Sequence, residues 1–188
     1  MLFRRKDHRR EFERVILPHL DAVHFAALRL VQEPADADDL VQETFCKAYQ
    51  NFKQLNRAEQ GRSWLFSILF NTWKNLIREK EKEIPVDPFA WDEERWGQEV
   101  AALFSSCSSQ DPEKVVDLRF TWQCLEEALS RLSAEHRLII ILADVEGFTY
   151  REIAGIIDVP IGTVMSRLSR ARCDLERHLS KLRQAEGS

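Results

Sequence analysis

The strongest constraint on the fold is a short break between two apolar helical segments near the C-terminus, at Asp158-Val159-Pro160. Before the break, Thr149 and Glu152 have the spacing of a capping box, which predicts that a helix starts at Thr149. After it, Pro160 suits the first turn of a second helix, where its missing N–H costs little. Two helices joined so tightly form a helix-turn-helix.

The second of these helices has a buried face and a polar face. Apolar residues recur at three- and four-residue steps from Ile161 to Leu179, which places them on one side. A separate polar stripe consists of Thr163, Ser166, Arg167 and Arg170. Because the exposed second helix of a helix-turn-helix usually reads the major groove, this arrangement favours duplex DNA binding over a helical hairpin with a solvated arginine face.

The distribution of charge is compatible with DNA binding although the net charge of the 188 residues is −4. The excess acid lies in residues 81–113, with nine acidic and two basic side chains, whereas residues 1–80 contain 14 basic and 11 acidic ones. Local patches rather than the net charge steer a protein to phosphate. The acidic total therefore does not argue against a DNA-binding protein.

Other classes of protein lack their sequence signals here. The four cysteines form no CxxC pair and the five histidines show no ligand spacing, so we expect no metal site, cofactor or disulfide framework. A phosphate loop, a nucleophile elbow and paired catalytic carboxylates are also missing, which indicates recognition rather than catalysis. The sequence lacks a membrane-length apolar run and a signal-peptide apolar segment, which predicts a cytoplasmic protein without membrane insertion.

The periodicity of the chain predicts an all-α fold, since no alternating strand pattern of useful length occurs. We expect a first helical segment over residues 8–32, kinked or divided at Pro18, a second helix with Asp36 as its N-cap, and a third over residues 62–80. Residues 84–112 are rich in proline, serine and acid, as in a linker. The prediction is two small helical domains, 1–83 and 113–184, joined by this acidic linker.

The third helix combines aromatic residues on most sides with one polar sector of about 100°. That sector contains Ser67, Asn71, Lys74, Asn75 and Arg78. Asparagine and basic side chains bond bases and phosphates, and an exposed aromatic ring stacks on unpaired bases. We place Trp64 at the edge of this sector and the other aromatic residues in the core. The polar loop of residues 55–62, just before the helix, could cup an extruded base.

Three segments resemble those of bacterial RNA polymerase sigma factors of the sigma-70 family, extracytoplasmic-function (ECF) group. Residues 36–49 resemble the segment that contacts the polymerase, and residues 63–75 the helix that melts the promoter. Residues 144–172 are similar to the C-terminal helix-turn-helix of that group. The order of the three segments within one short chain is typical of the group.

The resemblance implies a role for each matched position. The β′ clamp helices of the polymerase would be contacted by Asp39, Gln42 and Glu43, and the β flap would be a further contact. The unpaired minus-ten strand would be held by Asn56, Arg57, Gly61, Arg62, Trp64, Asn71, Lys74, Asn75 and Arg78. The minus-thirty-five duplex would be contacted by Thr163, Met165, Ser166, Arg167, Arg170 and Arg172. Many relatives carry a basic residue at the position of Met165, whereas methionine can pack on a thymine methyl group.

The function that the resemblance implies is that of an alternative sigma factor, without catalytic activity of its own. It would bind core RNA polymerase, direct it to promoter DNA and melt the minus-ten region, and an anti-sigma factor would hold it inactive. The acidic linker would run toward the RNA exit path. One alternative is a helix-turn-helix regulator, such as a dimeric repressor or a response regulator, that acts without opening promoters. A helical metal-dependent enzyme is a second alternative, and the lack of clustered ligands argues against it.

Overall fold

The structure, a computed structural model, describes residues 2–31, 33–80 and 118–186. The predicted linker of residues 84–112, with Cys107, lies outside the described residues. Within the described part every element is helical, so the all-α prediction is confirmed there. The α-helices in chain order are α1 (Leu2–Val15), α2 (Leu20–Val31), α3 (Pro34–Asn51), α4 (Gly61–Lys80), α5 (Leu118–Ser130), α6 (Ala134–Ile140), α7 (Tyr150–Ile157) and α8 (Ile161–Glu186).

The first helical segment is divided at Pro18, as predicted, because a 3₁₀ turn at Leu17–His19 separates α1 from α2. The start of α3 differs from the prediction that Asp36 is its N-cap. Pro34 begins the helix and Glu33 precedes it without a side-chain capping bond, since proline is well suited to the first helical position. Asp36 lies in the first turn, where the helix dipole favours its charge.

The N-terminal domain packs α2, α3 and α4 around a common core. Gly61, the first residue of α4, lies in a tight junction with the end of α1. A Cβ atom at this position would lie 2.8 Å from Cγ1 of Val15, which is closer than packed carbon atoms normally approach. Glycine at position 61, which has no side chain, therefore allows the start of α4 to pack directly against the end of α1.

The helix-turn-helix forms as the sequence predicted. Thr149 Oγ1 accepts a hydrogen bond from the Glu152 N–H at 3.3 Å, and the Thr149 N–H donates to Glu152 Oε2 at 2.8 Å. Asp158 ends α7 in the left-handed region at φ 54°, a conformation that Asp adopts more readily than most residues. Pro160 lies just before α8 rather than inside its first turn, and its carbonyl accepts the Val164 N–H at 3.2 Å.

The C-terminal domain is built around the long helix α8, which packs on α5, α6 and α7. The predicted apolar stripe is buried at Val164, Leu168 and Ala171, each at most 1 % exposed, but its first member, Ile161, is 48 % exposed and departs from the prediction. A π-helical turn at Ile141–Val145 follows α6, and its Glu146 N–H donates to the Ile141 carbonyl at 2.8 Å. The segment after this turn carries Glu146 and Phe148, which reach the N-terminal domain.

The two domains pack directly on each other through α4 against α7 and α2 against α6. The Phe66 and Phe148 rings meet edge to face with centroids 5.0 Å apart. This contact explains why α4 is aromatic on most sides: it packs on α2 and α3 within its own domain and on α7 of the other. Among the helices that the structure describes, none is long and apolar enough to cross a bilayer.

Candidate nucleic-acid interface

A cleft of about 370 Å³ opens between α3 and α4, which lies within the range of roughly 300–1,000 Å³ of small-molecule pockets. Three residues predicted to bind single-stranded DNA contribute to its wall: Trp64, Asn71 and Asn75. The remaining lining residues are Lys47, Asn51, Gln54, Ile68 and Thr72. The cleft therefore combines an aromatic ring, amides and a cation at one place on the N-terminal domain.

A chain of hydrogen bonds fixes the α3 side of the cleft. Lys47 Nζ donates to Thr72 Oγ1 at 3.3 Å and forms an ion pair with Glu43 Oε1 at 2.7 Å. Asn51 Nδ2 donates to the Lys47 carbonyl at 2.8 Å, and Gln54 Nε2 donates to Asn51 Oδ1 at 3.0 Å. These contacts hold the polar groups in place before any ligand arrives.

The α4 side of the cleft is open to solvent. Asn71 and Asn75 are exposed one helical turn apart, and Arg78 continues the same exposed face. Lys74 is half-buried beside them. An amide presents both a donor and an acceptor, so these two asparagines can bond the edge of an unpaired base. The face suits a single strand whose bases turn toward the cleft.

Sequence reasoning missed Lys47, Asn51 and Gln54 on the opposite wall. They occupy positions i, i+4 and i+7 of α3 and its following 3₁₀ turn, so they share one face. That spacing was the available signal.

The loop before α4 gives a mixed outcome for the predicted contacts. Asn56 and Arg57 are exposed and reachable by a strand that follows the cleft. Gly61 is buried in the junction with Val15, so its part in the structure is packing rather than DNA contact. The loop also contains a 3₁₀ turn at Ala58–Gln60.

Arg62 contacts the C-terminal domain in this structure rather than facing open solvent. Its Nη2 donates to Glu146 Oε2 at 2.6 Å and to the Glu146 carbonyl at 2.7 Å. The guanidinium also lies over the Phe148 ring, 4.3 Å from the centroid. The Glu146 side chain is 7 % exposed, so this is a largely desolvated ion pair. Arg62, which we predicted to bind DNA, is therefore engaged by Glu146 and Phe148 of the C-terminal domain.

A second arginine, Arg137, joins the two domains through backbone carbonyls. Its Nη1 donates to the carbonyls of Arg29 and Leu30 at the end of α2, at 3.2 and 3.3 Å. Its Nε and Nη2 donate to three carbonyls at and just after the end of α5, those of Leu129, Ser130 and Leu132. Burial lowers the pKa of this guanidinium, and its five N–H groups all have acceptors.

The predicted duplex-reading residues of α8 are not equally accessible. Thr163, Ser166, Arg167 and Arg170 are partly covered, whereas Met165 is 54 % exposed. Ser166 Oγ donates to the Thr163 carbonyl at 3.0 Å, so its proton is used within the helix. Burial lowers the pKa of Arg167 to about 10, opposed by the charge of Glu135. Arg167 is therefore charged at neutral pH, but its side chain is less exposed than the sequence pattern predicted.

Arg172 lies on the same side of α8 as Met165, seven residues farther along, and is paired within the domain. Its Nε donates to Asp144 Oδ2 at 3.1 Å, and this hydrogen bond raises the pKa of Arg172. The pair is exposed to solvent, where the gain from an ion pair is small. A phosphate could compete with Asp144 for this guanidinium.

The predicted polymerase-facing residues share one exposed face of α3. Asp39, Gln42 and Glu43 are all exposed, and Ala37, Leu40 and Val41 on the opposite side are buried. Glu43 is also the ion-pair partner of Lys47, which lines the cleft. Glu43 therefore connects the face that we predict to meet the polymerase with the Lys47 side of the cleft.

The described residues contain no group of three or more histidine, cysteine, aspartate or glutamate side chains placed to hold a metal ion. Cys46 and Cys124 are free thiols. Cys173 on α8 is disulfide-bonded.

Comparison with known proteins gives two matched regions and several relatives. Residues 15–83 match the family described as Sigma-70 region 2, and residues 122–175 match Sigma-70, region 4. The ECF RNA polymerase sigma factor SigE of Mycolicibacterium smegmatis is 30% identical over 172 residues, which are 90% of this chain but 62% of that protein. The ECF RNA polymerase sigma-E factor of Haemophilus influenzae is 30% identical over 153 residues, 78% of this chain and 76% of that protein.

A solved structure has a similar fold. The co-crystal structure of the sigma factor RpoE in complex with the anti-sigma factor NepR from Bartonella quintana gives a TM-score of 0.64 at 29% sequence identity. The similarity covers 93% of this chain and 98% of that one. It includes both matched regions.

Proposed function

Because this chain belongs to the ECF group of the sigma-70 family, we propose that it directs core RNA polymerase to promoters through two separate DNA-binding surfaces. Sigma factors are non-catalytic subunits of the polymerase, so recognition and strand capture are the whole of its chemistry. We place the N-terminal domain at residues 1–83, the linker at 84–112 and the C-terminal domain at 113–184. The site of action is the cytoplasm, where the polymerase and the promoter are found.

The observation that carries this proposal is the cleft between α3 and α4. It sets the exposed amides of Asn71 and Asn75 beside Trp64 and a preorganised Lys47. We infer that a base of the unpaired minus-ten strand enters this cleft, stacks near Trp64 and is bonded by the amides. Arg57, Lys74 and Arg78 lie along the path of the backbone as cations for its phosphates.

The second surface is α8, with Thr163, Met165, Ser166, Arg167 and Arg170 toward the minus-thirty-five duplex and Arg172 toward phosphate. The capping box and the left-handed Asp158 support this assignment, since they fix the angle at which α8 leaves α7. Asp39, Gln42 and Glu43 form the proposed contact with the β′ clamp helices, and the β flap receives the C-terminal domain. These two polymerase contacts would hold the DNA-binding surfaces at their promoter elements.

An anti-sigma factor is the proposed inhibitor. The Bartonella quintana sigma factor was solved in complex with its anti-sigma factor NepR, and its similarity to this chain supports a partner of the same kind. We propose that such a partner binds the packed arrangement of the two domains, in which Arg62 is engaged by Glu146.

In-vitro transcription with purified core polymerase tests the main proposal. Core polymerase plus this chain should give promoter-specific transcripts from a library of genomic fragments, whereas core polymerase alone should not. A chain that binds promoter duplexes but neither core polymerase nor an open promoter would instead be a helix-turn-helix regulator. A polymerase pull-down separates these two functions.

The role of the cleft is tested by Asn71→Ala and Lys74→Ala. Both variants should impair promoter opening, measured by permanganate reactivity of unpaired thymines, more than binding to the closed duplex. Glu79→Ala is the matched control, because Glu79 is an exposed residue of the same helix. Equal loss of opening and of duplex binding would remove the assignment to the unpaired strand.

A further inference from the structure

The outermost side chains at the start of the proposed recognition helix are apolar. Met165 is 54 % exposed and Ile161 is 48 % exposed. They are four residues apart on α8, so their side chains lie next to each other on one face. Two adjacent large apolar residues at the end of a helix that is otherwise rich in charge need a partner that can cover them.

The polar side chains that neighbour this pair in sequence are less exposed than Met165 and Ile161. Ser166 donates its proton to the Thr163 carbonyl, and Arg167 is partly covered on the side that faces Glu135. Farther along the helix the charge favours a polyanion, since residues 165–183 contain six basic and two acidic side chains. A duplex that approached the face of Ile161 and Met165 would meet these two side chains, because Arg167, two positions from Met165, lies on another face of α8.

The major groove offers one apolar group that fits such a pair. Thymine presents a C5-methyl group there, whereas guanine, adenine and cytosine present only donors and acceptors. Methionine can form no strong hydrogen bond to those groups, so covering them with Met165 would leave them unsatisfied at a cost. The thioether is flexible and adapts to the position of a methyl group.

We propose that Met165, with Ile161 beside it, selects thymine in the minus-thirty-five duplex through its C5-methyl group. This inference rests on the proposed function, in which α8 enters the major groove. It makes the chain differ from relatives with a basic residue at this position: an apolar contact replaces a hydrogen bond to guanine or phosphate. Arg170 and Arg172 then act mainly on the phosphates that flank the selected base pairs.

The test compares thymine with uracil, which differs from it only by the methyl group. The minus-thirty-five sequence is first selected from randomised promoters with the reconstituted holoenzyme. Each thymine of the selected element is then replaced by uracil, one at a time, and the affinity of the holoenzyme is measured. Loss of one methyl contact should weaken binding about three- to fivefold at one or two positions, from about 0.8 kcal/mol per buried methylene.

Variants of the chain assign that loss to the proposed residue. Met165→Ala should bind the thymine and uracil duplexes equally, and Met165→Arg should shift the selected base toward guanine. Leu20→Ala is the matched control, because Leu20 is a similarly exposed apolar residue, 41 % exposed, in the other domain. It should keep the full preference for thymine. Circular dichroism melting of each variant checks that it folds.

The possible failures are distinguishable. Promoter binding without any difference between thymine and uracil would overturn this inference and leave the proposed function intact. A preference for thymine that persists in Met165→Ala would also overturn it. Failure of the holoenzyme to select any promoter sequence would overturn the proposed function and this inference together.

Discussion

At the scale of single residues, Arg137 shows how one buried cation connects two domains. Its side chain bonds carbonyls at the end of α2 and carbonyls at the end of α5. Helix C-termini leave such carbonyls without partners inside the helix. The guanidinium supplies donors to both ends at once, in the geometry that lysine cannot reproduce.

Arg137→Gln should therefore lower the free energy of unfolding by about 3 kcal/mol, because several buried carbonyls lose their donors. Urea denaturation of the whole chain measures the change. Arg131→Gln is the control, since Arg131 pairs with Glu127 on the surface and such pairs are worth less than about 1 kcal/mol. Similar losses in the two variants would contradict the role of Arg137.

His136 makes the stability of the chain depend on pH. Burial lowers its pKa, partly opposed by Asp174, whose Oδ2 lies 2.8 Å from His136 Nδ1; the charges of Arg170 and Arg167 lower it further. A base with a lowered pKa in the folded state binds more protons when unfolded, so stability rises with pH up to about 6.5. The folded chain should be less stable at pH 5.5 than at pH 7.5.

His136→Gln should reduce that difference, measured as the free energy of unfolding in urea at the two pH values. Burial also lowers the pKa of His19, so His19→Gln should reduce it independently. An unchanged difference in the double variant would show that neither histidine is responsible.

At the scale of helices, two glycines, Gly61 and Gly155, differ in the space available to a side chain. A Cβ atom at Gly61 would meet Val15 Cγ1, whereas at Gly155 it would meet nothing within 4 Å. Gly61→Ala should therefore cost about 1–3 kcal/mol through overpacking. Gly155→Ala, within α7, should gain up to about 1 kcal/mol from helix propensity. Thermal melting of both variants checks the signs, and stabilisation by Gly61→Ala would contradict the close contact.

The elements that the sequence predicted well are those specified by local chemistry. The start of α7 follows from the reciprocal bonds of Thr149 and Glu152, and its end follows from Asp158 and Pro160. The start of α3 was predicted wrongly because Pro34 and Asp36 are both favourable near a helix N-terminus, and proline took the first position. Local signals of this kind compete within one turn, so an element is easier to predict than its first residue.

The parts of the site that depend on distant partners were not predictable in the same way. The aromatic sides of α4 were recognised as core, but periodicity does not reveal that Phe66 packs on Phe148 of the other domain. The ion pair between Arg62 and Glu146 was not predictable for the same reason. The wall of the cleft formed by Lys47 and Asn51 was predictable in part, because their spacing of four residues places them on one face of α3.

At the scale of the whole molecule, the direct packing of the two domains bears on how they would reach both proposed promoter elements. The two elements are about 25 base pairs apart by their names, which is about 85 Å at about 3.4 Å per base pair. In the structure α4 packs on α7, and Arg62 lies 2.6 Å from Glu146. Binding both elements therefore requires the domains to separate and Arg62 to leave Glu146.

Energy transfer between dyes attached at Lys53 and Arg177 should report this separation. The efficiency should be high in the free chain and fall when core polymerase and promoter DNA are added. Glu146→Gln should lower it already in the free chain, since it weakens the ion pair with Arg62 by about 1–2 kcal/mol and replaces no residue that we predict to contact DNA. Glu127→Gln is the control, because that exposed carboxylate pairs with Arg131 of the same domain. An unchanged efficiency in the holoenzyme would contradict the separation.

The sequence distance between Arg62 and Glu146 has a consequence for the time before the chain is complete. The two residues are 84 positions apart, which at about 5–20 residues per second means that about 4–17 s of translation separate them. During that interval the residues that cover Phe66 and bond the end of α2 have not yet been translated. The ion pair between the two domains can therefore form only after Glu146 has been added, later than the N-terminal domain that supplies Arg62.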